Sequence, residues 1–401
     1  MRLTKDKSQV ELKKIVIFGA GKIGRSFIGQ LFGRSGYKTV FIDVDPAIIE
    51  MLNEKAFYRV VIKGEKEEEI IVKNVQAISA LDKSAVADAV ATAGIVAVSV
   101  GKNALEKVIP AIASGLEMRY NYNPEKPLDI ILAENMRSSA VFTRDLLIKN
   151  LPSQFPVDTY VGLIETSIGK MVPIMPIAEA EKDPLMVFAE PYNTLILDGK
   201  GFKSPVPDVR GLAPKNNIKA WVDRKAFIHN LGHATAAYCG YFHHPDATYM
   251  YEVLDDEKVL YFTRQVMLQS AEILRAEYPG EFTVADLTGH IDDLLHRFRN
   301  KALQDTVFRV GQDLTRKLGA DDRFMGSIHL AIQYHMSYNL ILEAMSFGLY
   351  FTARDEEGNL FPNDTIFLDT LAKDAESALI NLLGLDPIKD RSIINKLKKG
   401  K

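Results

Sequence analysis

Lys225, Asn230 and His233 lie close together in a segment with helical hydrophobic spacing. At about 100° per residue, Asn230 and His233 lie about 140° and 80° around a helix from Lys225, so all three share one sector of its surface. An amine that can accept a proton and an amide that can donate to an oxygen suit the oxidation of an alcohol, and the imidazole points the same way. A polar helix face without a catalytic role has the same spacing, so this chemistry needs an electron acceptor encoded elsewhere in the chain.

A glycine-rich motif near the N-terminus predicts a nucleotide site. The apolar run 14–18 is typical of a buried strand, and it leads into the motif Gly19-Ala20-Gly21-Lys22-Ile23-Gly24. The three glycines permit a tight turn, close approach of a pyrophosphate to the helix N-terminus, and close packing of helix on strand. Asp43 ends the next predicted strand, 43 − 24 = 19 residues after Gly24. A carboxylate there accepts the ribose hydroxyls and repels a 2′-phosphate, which predicts NAD over NADP.

Further apolar runs predict the rest of a parallel sheet. They occupy residues 95–100, 128–133 and 159–164, and a hairpin formed by 58–62 and 70–74 is inserted among them. A helix is predicted over 104–113 and a surface loop over 120–127. Ligands of open α/β sheets bind at the carboxyl ends of the strands, so Ser99 and Gly101 are predicted to bind the cofactor, and Asn135 is placed beside it.

The second half of the chain changes character after residue 217. Helical spacing predicts helices over 221–241, 257–278, 284–298 and 326–349. The predicted fold class is α/β. A Rossmann-like, doubly wound sheet with an inserted hairpin is expected over 12–200, and a mostly helical substrate domain over 201–401.

Composition excludes several other classes of protein. The 401 residues carry a net charge of −3, which gives no basic excess for nucleic acid. One cysteine excludes a disulfide framework and a four-cysteine zinc site. The chain has neither an apolar signal core at its N-terminus nor an apolar run of the ~18 residues that a membrane helix needs. We therefore expect a cytoplasmic protein with a small-molecule substrate and no membrane partner.

Two rival dehydrogenase chemistries fit the sequence less well. Zinc-dependent alcohol dehydrogenases need cysteine ligands, and Cys239 alone cannot supply them. Short-chain enzymes use a Tyr-x-x-x-Lys pair on a helix; Tyr122 and Lys126 have this spacing, but Pro124 between them breaks a helix interior.

A metal-ion site remains an alternative at this stage. His229 and His233 are four residues apart, and the pair His243-His244 could add a third ligand. Asn230 stands where a metallopeptidase has glutamate, and we predict no metal.

The chain resembles the polyol-specific long-chain dehydrogenases, and within them most closely the mannitol-1-phosphate 5-dehydrogenase branch. The matching stretches are GAGKIGRSFIG at 19–29, ENM at 134–136, Lys-x4-Asn-x2-His at 225–233, LDDEK at 254–258, RFRN at 297–300, RVG at 309–311, RKL at 316–318 and DR at 322–323. The resemblance implies an NAD-dependent, metal-independent oxidoreductase that interconverts mannitol 1-phosphate and fructose 6-phosphate. It also implies a monomer, with a dimer as the alternative.

The resemblance assigns roles to individual residues. Lys225 corresponds to the general base, Asn135 and Asn230 to the amides that hold the substrate oxygen, and His233 to a ligand of a substrate hydroxyl. Arg323 corresponds to an arginine that contacts substrate. Lys170 is predicted to bind substrate as well, because a phosphate dianion needs basic partners.

Two positions depart from the family pattern. Gly169-Lys170 replaces the usual Asp-Arg before a Val-Pro pair, and Ser337-Tyr338 replaces a basic pair before Asn339-Leu340. The alternatives are therefore a mannitol 2-dehydrogenase or hexuronate reductase of the same family, which acts on unphosphorylated substrates, and an NAD-binding regulatory protein without turnover.

Overall fold

The computed structural model describes residues 9–134 and 136–399, which divide into two compact units with the boundary between Ile218 and Lys219. The sequence placed this boundary at residue 200. It lies farther along because the intervening segment adds strand β11 (Leu212–Lys215) to the sheet of the first unit.

Eleven strands are found in the described part of the first unit, and eight of them form one sheet in the order β11-β10-β8-β7-β6-β1-β2-β5. Strands β4, β3 and β9 form a second, three-stranded sheet. The strands are β1 Glu11–Phe18, β2 Lys38–Asp43, β3 Phe57–Lys63, β4 Glu67–Lys73, β5 Val75–Ser79, β6 Ala93–Val98, β7 Leu128–Leu132, β8 Val161–Ser167, β9 Val187–Ala189, β10 Leu195–Asp198 and β11 Leu212–Lys215.

Strand β1 occupies the centre of the large sheet because both of its faces are apolar. It pairs in parallel with β2 on one side and β6 on the other, with Phe18 opposite Ile42 and Val98. Val16 and Phe18 face one buried cluster, and Ile15 and Ile17 face the other. This burial on both faces is typical of a parallel sheet covered by helices and confirms the predicted Rossmann-like fold.

The inserted hairpin is also present. Strands β3 and β4 pair antiparallel with Tyr58 opposite Val72, as the sequence predicted. Strand β9 pairs in parallel with β3 and extends the hairpin into the small sheet.

The helices of the first unit follow their strands. They are α1 Gln30–Arg34, α2 Pro46–Lys55, α3 Lys83–Ala91, α4 Lys102–Tyr122, α5 Ser139–Asn150, α6 Val157–Tyr160 and α7 Ile177–Lys182, with a π-helical turn at Gly24–Gly29 before α1. Helix α4 is longer than the predicted 104–113 and includes Pro110. It continues because the buried stripe that contains Leu105 and Ile112 extends to Leu116.

The second unit is built from helices in its described residues. They are α8 Ile218–Arg224, α9 Leu231–His243, α10 Met250–Leu254, α11 Glu257–Glu277, α12 Val284–Phe298, α13 Val307–Gly311, α14 Leu314–Lys317, α15 Arg323–Gln333, α16 Asn339–Gly348, α17 Pro362–Lys373, α18 Ala375–Ser377 and α19 Arg391–Lys399. A 3₁₀ turn lies at Lys301–Leu303, and π-helical turns lie at Lys225–Asn230 and Ala378–Leu382. No helix in the described part of the chain is long and apolar enough to cross a membrane.

One predicted helix, 326–349, is wrong, because the structure has two helices there. Helix α15 ends at Gln333 and α16 begins at Asn339, and His335 between them has a φ of 55°. The side chain of Gln269 accepts hydrogen bonds from the N–H groups of Leu340 and Ile341. This tertiary cap stabilises a new helix start that the continuous hydrophobic spacing does not show.

Candidate active site

The glycine loop after β1 is shaped by close backbone contacts. Gly19 has a φ of 95°, in the left-handed region that favours glycine. A Cβ at Gly19 would lie 2.6 Å from the carbonyl oxygen of Ser99, and a Cβ at Gly24 would lie 2.0 Å from that of Gly19. Both positions therefore exclude any side chain, and the turn packs directly against the end of β6.

Gly21 differs from its two neighbours in the motif. Among residues 9–134 and 136–399, no atom beyond Gly21 and its two chain neighbours lies within 4 Å of a Cβ built at Gly21. The loop thus leaves open space at the position where a pyrophosphate approaches the start of a helix. Lys22 is exposed and Ile23 is half-buried beside this space. The residues present fit a dinucleotide.

Asp43 holds the glycine loop at the end of β2. Its Oδ2 accepts the N–H of Ala20 at 2.6 Å, and its Oδ1 accepts the N–H groups of Val44 and Asp45 at 2.7 and 3.0 Å. A carboxylate has about four acceptor sites, so capacity remains for a ribose hydroxyl. Asp45 follows closely in the sequence, and this acidic turn is unfavourable for a 2′-phosphate.

Ser99 and Gly101 lie at the neighbouring end of β6, as predicted. Ser99 Oγ donates to the carbonyl of Phe18 at 3.1 Å. The N–H of Gly101 donates to Oε1 of the buried Glu134 at 3.0 Å. Because strand order reverses between β1 and β6, this edge is the switch point at which doubly wound sheets bind ligands. Asn135, the next residue after Glu134, lies outside the described residues.

In the second unit, Lys225 and Asn230 are brought together by a π-helical turn, Lys225–Asn230, called here the Lys225 π-turn. Its backbone bonds join residues five apart, so these two residues lie about one turn from each other along the axis. The α-helical spacing used in the sequence analysis overestimates their separation around the helix. Among the described residues, the side-chain amide of Asn230 makes no hydrogen bond, which leaves it available to a ligand.

The amine of Lys225 has an unusual proton affinity. Burial, followed by repulsion from the Arg323 guanidinium, lowers the pKa of Lys225 from 10.5 to about 8. Arg323 is itself buried, donates to the backbone carbonyl of Asn230 at 3.1 Å and pairs with Asp322 at 2.9 Å. The arginine therefore fixes the end of the Lys225 π-turn and raises the positive potential at the amine.

A second buried lysine, Lys317, is also affected by the charge of Arg323. Burial and then the charge of Arg323 lower the pKa of Lys317 to about 7. Its Nζ donates to the carbonyl of Val310 at 2.6 Å. Sequence reasoning assigned no role to Lys317, although it belongs to the Arg316-Lys317-Leu318 stretch.

His233 is held by a carboxylate that the sequence did not reveal. Its Nε2 lies 3.2 Å from Oδ2 of Asp305, at an angle short of an aligned hydrogen bond, and its ring stacks on Phe298 at 4.4 Å. Burial lowers the pKa of His233 although Asp305 opposes this, so the ring is neutral at pH 7. Arg309 Nε donates to Oδ1 of Asp305 at 2.6 Å. Asp305 follows a short loop with no motif, so no signal in the sequence could have found it.

His229, considered above as a metal ligand, packs on Phe298 with its ring centroid at 5.6 Å. Burial, followed by the charge of Arg297, lowers the pKa of His229 well below its usual value. Within the part of the chain that the structure describes, no group of three His, Cys, Asp or Glu side chains is arranged to hold a metal ion.

Lys170 lies in the first unit, and its amine hydrogen-bonds to three acceptors of the same unit. Its Nζ donates to the carbonyls of Glu190 and Tyr192 at 3.2 and 2.8 Å and to Oδ1 of Asn193 at 3.1 Å. An ammonium has three protons, so these acceptors account for its donors. Binding of a phosphate by Lys170, as the sequence predicted, would require some of these bonds to break.

Comparison with known families agrees with this fold. The family model of the mannitol dehydrogenase Rossmann domain matches residues 13–211, and that of the mannitol dehydrogenase C-terminal domain matches residues 217–382. The two matches cover most of the chain. The chain belongs to the mannitol dehydrogenase family, which confirms the resemblance to the polyol dehydrogenases.

Solved structures show the same fold at low sequence identity. Pseudomonas fluorescens mannitol 2-dehydrogenase, solved as a ternary complex with NAD and D-mannitol, is 15% identical with a TM-score of 0.74, over 98% of this chain and 91% of that chain. A D-sorbitol dehydrogenase in substrate-free form is 17% identical with a TM-score of 0.79, over 99% of this chain and 93% of that chain.

The glycine loop yields a prediction from a matched pair of variants. Gly21→Ala should melt like the wild type but bind NADH at least about tenfold more weakly, because its methyl group enters the space left for the pyrophosphate. Gly24→Ala should lower the melting temperature, because its methyl group collides with the Gly19 carbonyl. Thermal melts and NADH fluorescence titrations measure both effects. Normal NADH affinity in a folded Gly21→Ala variant would contradict the assigned site.

Proposed function

We propose that the protein is an NAD-dependent oxidoreductase that interconverts a secondary alcohol of a polyol and the corresponding ketone, with Lys225 as the general acid and base. The observation that carries this proposal is an amine with a pKa of about 8, held on the same π-turn as the amide of Asn230. General bases work best when their pKa lies near the working pH.

The lowered pKa strongly increases the fraction of Lys225 that is neutral and can accept a proton. At pH 7.5 an amine with the ordinary value of 10.5 is neutral in about one molecule in a thousand, whereas one with a pKa of about 8 is neutral in roughly a quarter. Burial and Arg323 therefore increase the active form by about two orders of magnitude. The same value leaves enough protonated amine for the reverse reaction.

The first unit supplies the cofactor site in this proposal. The residues that would hold NAD are those of the glycine motif 19–24, together with Asp43, Ser99 and Gly101. When bound, NAD accepts the hydride of the alcohol carbon.

In this proposal, side chains of the second unit transfer the proton, stabilise the negative charge on the oxygen and bind a substrate hydroxyl. Neutral Lys225 takes the hydroxyl proton during oxidation, and protonated Lys225 returns it to the carbonyl oxygen during reduction. Asn230 donates its amide to the oxygen as negative charge develops, and Asn135 is assigned the same role; donors of this kind contribute roughly 3 kcal/mol each in a dry site. Nε2 of neutral His233 lies beside Oδ2 of Asp305, and its Nδ1 accepts a hydrogen bond from a substrate hydroxyl.

We infer that the substrate is a hexitol phosphate, with mannitol 1-phosphate and fructose 6-phosphate as the leading pair. Arg323 and Lys317 support this inference, because both are buried and the charge of Arg323 lowers the pKa of Lys225 and of Lys317, so a phosphate dianion bound beside them would raise the pKa of Lys317. The sequence resemblance to the phosphate-specific branch supports it as well.

An unphosphorylated polyol or a hexuronate is the second candidate. The hydrogen bonds of Lys170 favour it, because they remove one of the basic residues on which the phosphate assignment relied. Arg323 would serve either kind of substrate.

The assignment of the base predicts the effect of one substitution. Lys225→Ala should lower kcat by at least about a hundredfold, the contribution typical of a general base, while the Kd of NADH stays within about twofold. Lys258→Ala, the same change at an exposed lysine, is the control and should keep wild-type kcat. Turnover of Lys225→Ala above about a tenth of the wild type would contradict the role of Lys225. A wild-type protein that binds NADH but turns over no polyol or ketose would instead support a regulatory protein.

The substrate class predicts an order of catalytic efficiencies. With NADH, kcat/KM for fructose 6-phosphate should exceed that for free fructose and for a keto-hexuronate, because only the phosphate ester can pair with Arg323 and Lys317 as a dianion. Initial rates at matched concentrations decide the order. Better use of free fructose or the uronate would contradict the phosphate assignment and leave the lysine mechanism in place.

A further inference from the structure

The Lys225 π-turn has a hydrogen-bond pattern unlike that of the α-helices on either side. In a regular α-helix the carbonyl of Phe227 would accept the N–H of Leu231, four residues later. In the structure the N–H of Leu231 donates to the carbonyls of Ala226 and Ile228. In the π-turn, the N–H of Leu231 therefore does not make the α-helical bond to the Phe227 carbonyl.

A hydroxyl group on α11 donates a hydrogen bond to the Phe227 carbonyl. Ser270 Oγ donates to the carbonyl oxygen of Phe227 at 2.6 Å, and both residues are buried. Ser270 Oγ also lies 2.9 Å from Oγ of Ser327 on α15. A hydroxyl has one proton to donate, so Ser327 is the donor of this second bond.

The π-turn in the first unit has an equivalent contact. The hydroxyl of Tyr58 on β3 donates to the carbonyl of Arg25 at 2.8 Å, and Arg25 lies within the turn Gly24–Gly29. Tyr58 is fully buried, and burial raises its pKa, so the hydroxyl keeps its proton. In two of the three π-turns described above, one in each unit, a buried hydroxyl from a neighbouring element donates to a carbonyl inside the turn.

We propose that Ser270 is a positioning residue for catalysis: its hydrogen bond to Phe227 maintains the π-turn that aligns Lys225 with Asn230. This inference rests on the proposed role of Lys225 as the base. Without the hydroxyl, the N–H of Leu231 can return to the Phe227 carbonyl, and the segment can relax to an α-helix. In that geometry Asn230 lies about 140° around the axis from Lys225, farther than in the π-turn, so its amide is turned away from the position that it holds beside the amine.

The test compares substitutions at two adjacent hydroxyls. Ser270→Ala removes the bond to the π-turn, whereas Ser327→Ala removes the equivalent atom from a residue that hydrogen-bonds to Ser270 and not to the Phe227 carbonyl. Ser270→Cys keeps the shape and offers a weak donor. Lys225→Ala is measured alongside them. For each variant the melting temperature, the Kd of NADH, kcat, KM and the pH profile of kcat are determined.

We expect Ser270→Ala to lower kcat at least about tenfold, with the Kd of NADH unchanged and a melting temperature close to that of Ser327→Ala. Its kcat profile should shift to higher pH, because a displaced amine regains water and moves away from Arg323. Ser327→Ala should stay within about threefold of the wild type, and Ser270→Cys should lie between the wild type and Ser270→Ala.

Equal losses of kcat in Ser270→Ala and Ser327→Ala, or an unchanged pH profile in Ser270→Ala, would overturn the proposal. If Ser270→Ala does not fold, Ser270→Cys decides: a loss of kcat with a shifted profile supports the proposal, and wild-type kinetics contradict it. An active Lys225→Ala variant would show that the proposed function fails. If Lys225→Ala is inactive but Ser270→Ala and Ser327→Ala lose the same kcat, only the role of Ser270 is overturned.

Discussion

Removal of water from the amine of Lys225 is the interaction on which the chemistry of the second unit depends. An ammonium in water keeps its proton near pH 7, whereas burial lowers the pKa of an amine and a nearby second cation lowers it further. Arg323 supplies that cation and also donates to the backbone carbonyl of Asn230, so one side chain lowers the pKa of the proposed base and anchors the backbone of Asn230. Two further buried polar groups hold this region: Asp305 contacts His233, and the Ser270 hydroxyl donates to the Phe227 carbonyl of the Lys225 π-turn.

The first unit depends on a different constraint, the close approach of backbone to backbone. Gly19 and Gly24 exclude side chains because the turn packs against Ser99 and against itself. Asp43 then holds the turn through the N–H of Ala20. These contacts leave the open space at Gly21 that a pyrophosphate needs, so the geometry of the loop follows from sterics before any ligand binds.

The sequence predicted the parts of this protein whose local pattern and tertiary role agree. The Rossmann-like sheet and the inserted hairpin follow from apolar periodicity and glycine spacing, and the residue types in the segment around Lys225 mark it as a candidate site. The π-turn could not be predicted, because α-helical spacing was assumed and the bond from Ser270 comes from a distant helix. The break at His335 depends likewise on the cap from Gln269. The contact between Asp305 and His233 joins a loop residue that has no motif to the histidine of α9. Lys170 looked available in the sequence because its three acceptors lie about twenty residues away.

The pH dependence of turnover in both directions tests the central claim, that the amine of Lys225 exchanges the substrate proton with a pKa of about 8. Oxidation requires the neutral amine, so kcat for the alcohol should rise with pH and level off above about 8. Reduction requires the protonated amine, so kcat for the ketone should fall as pH rises through the same value. Inflections near the ordinary 10.5, or a change in the same sense in both directions, would contradict the account.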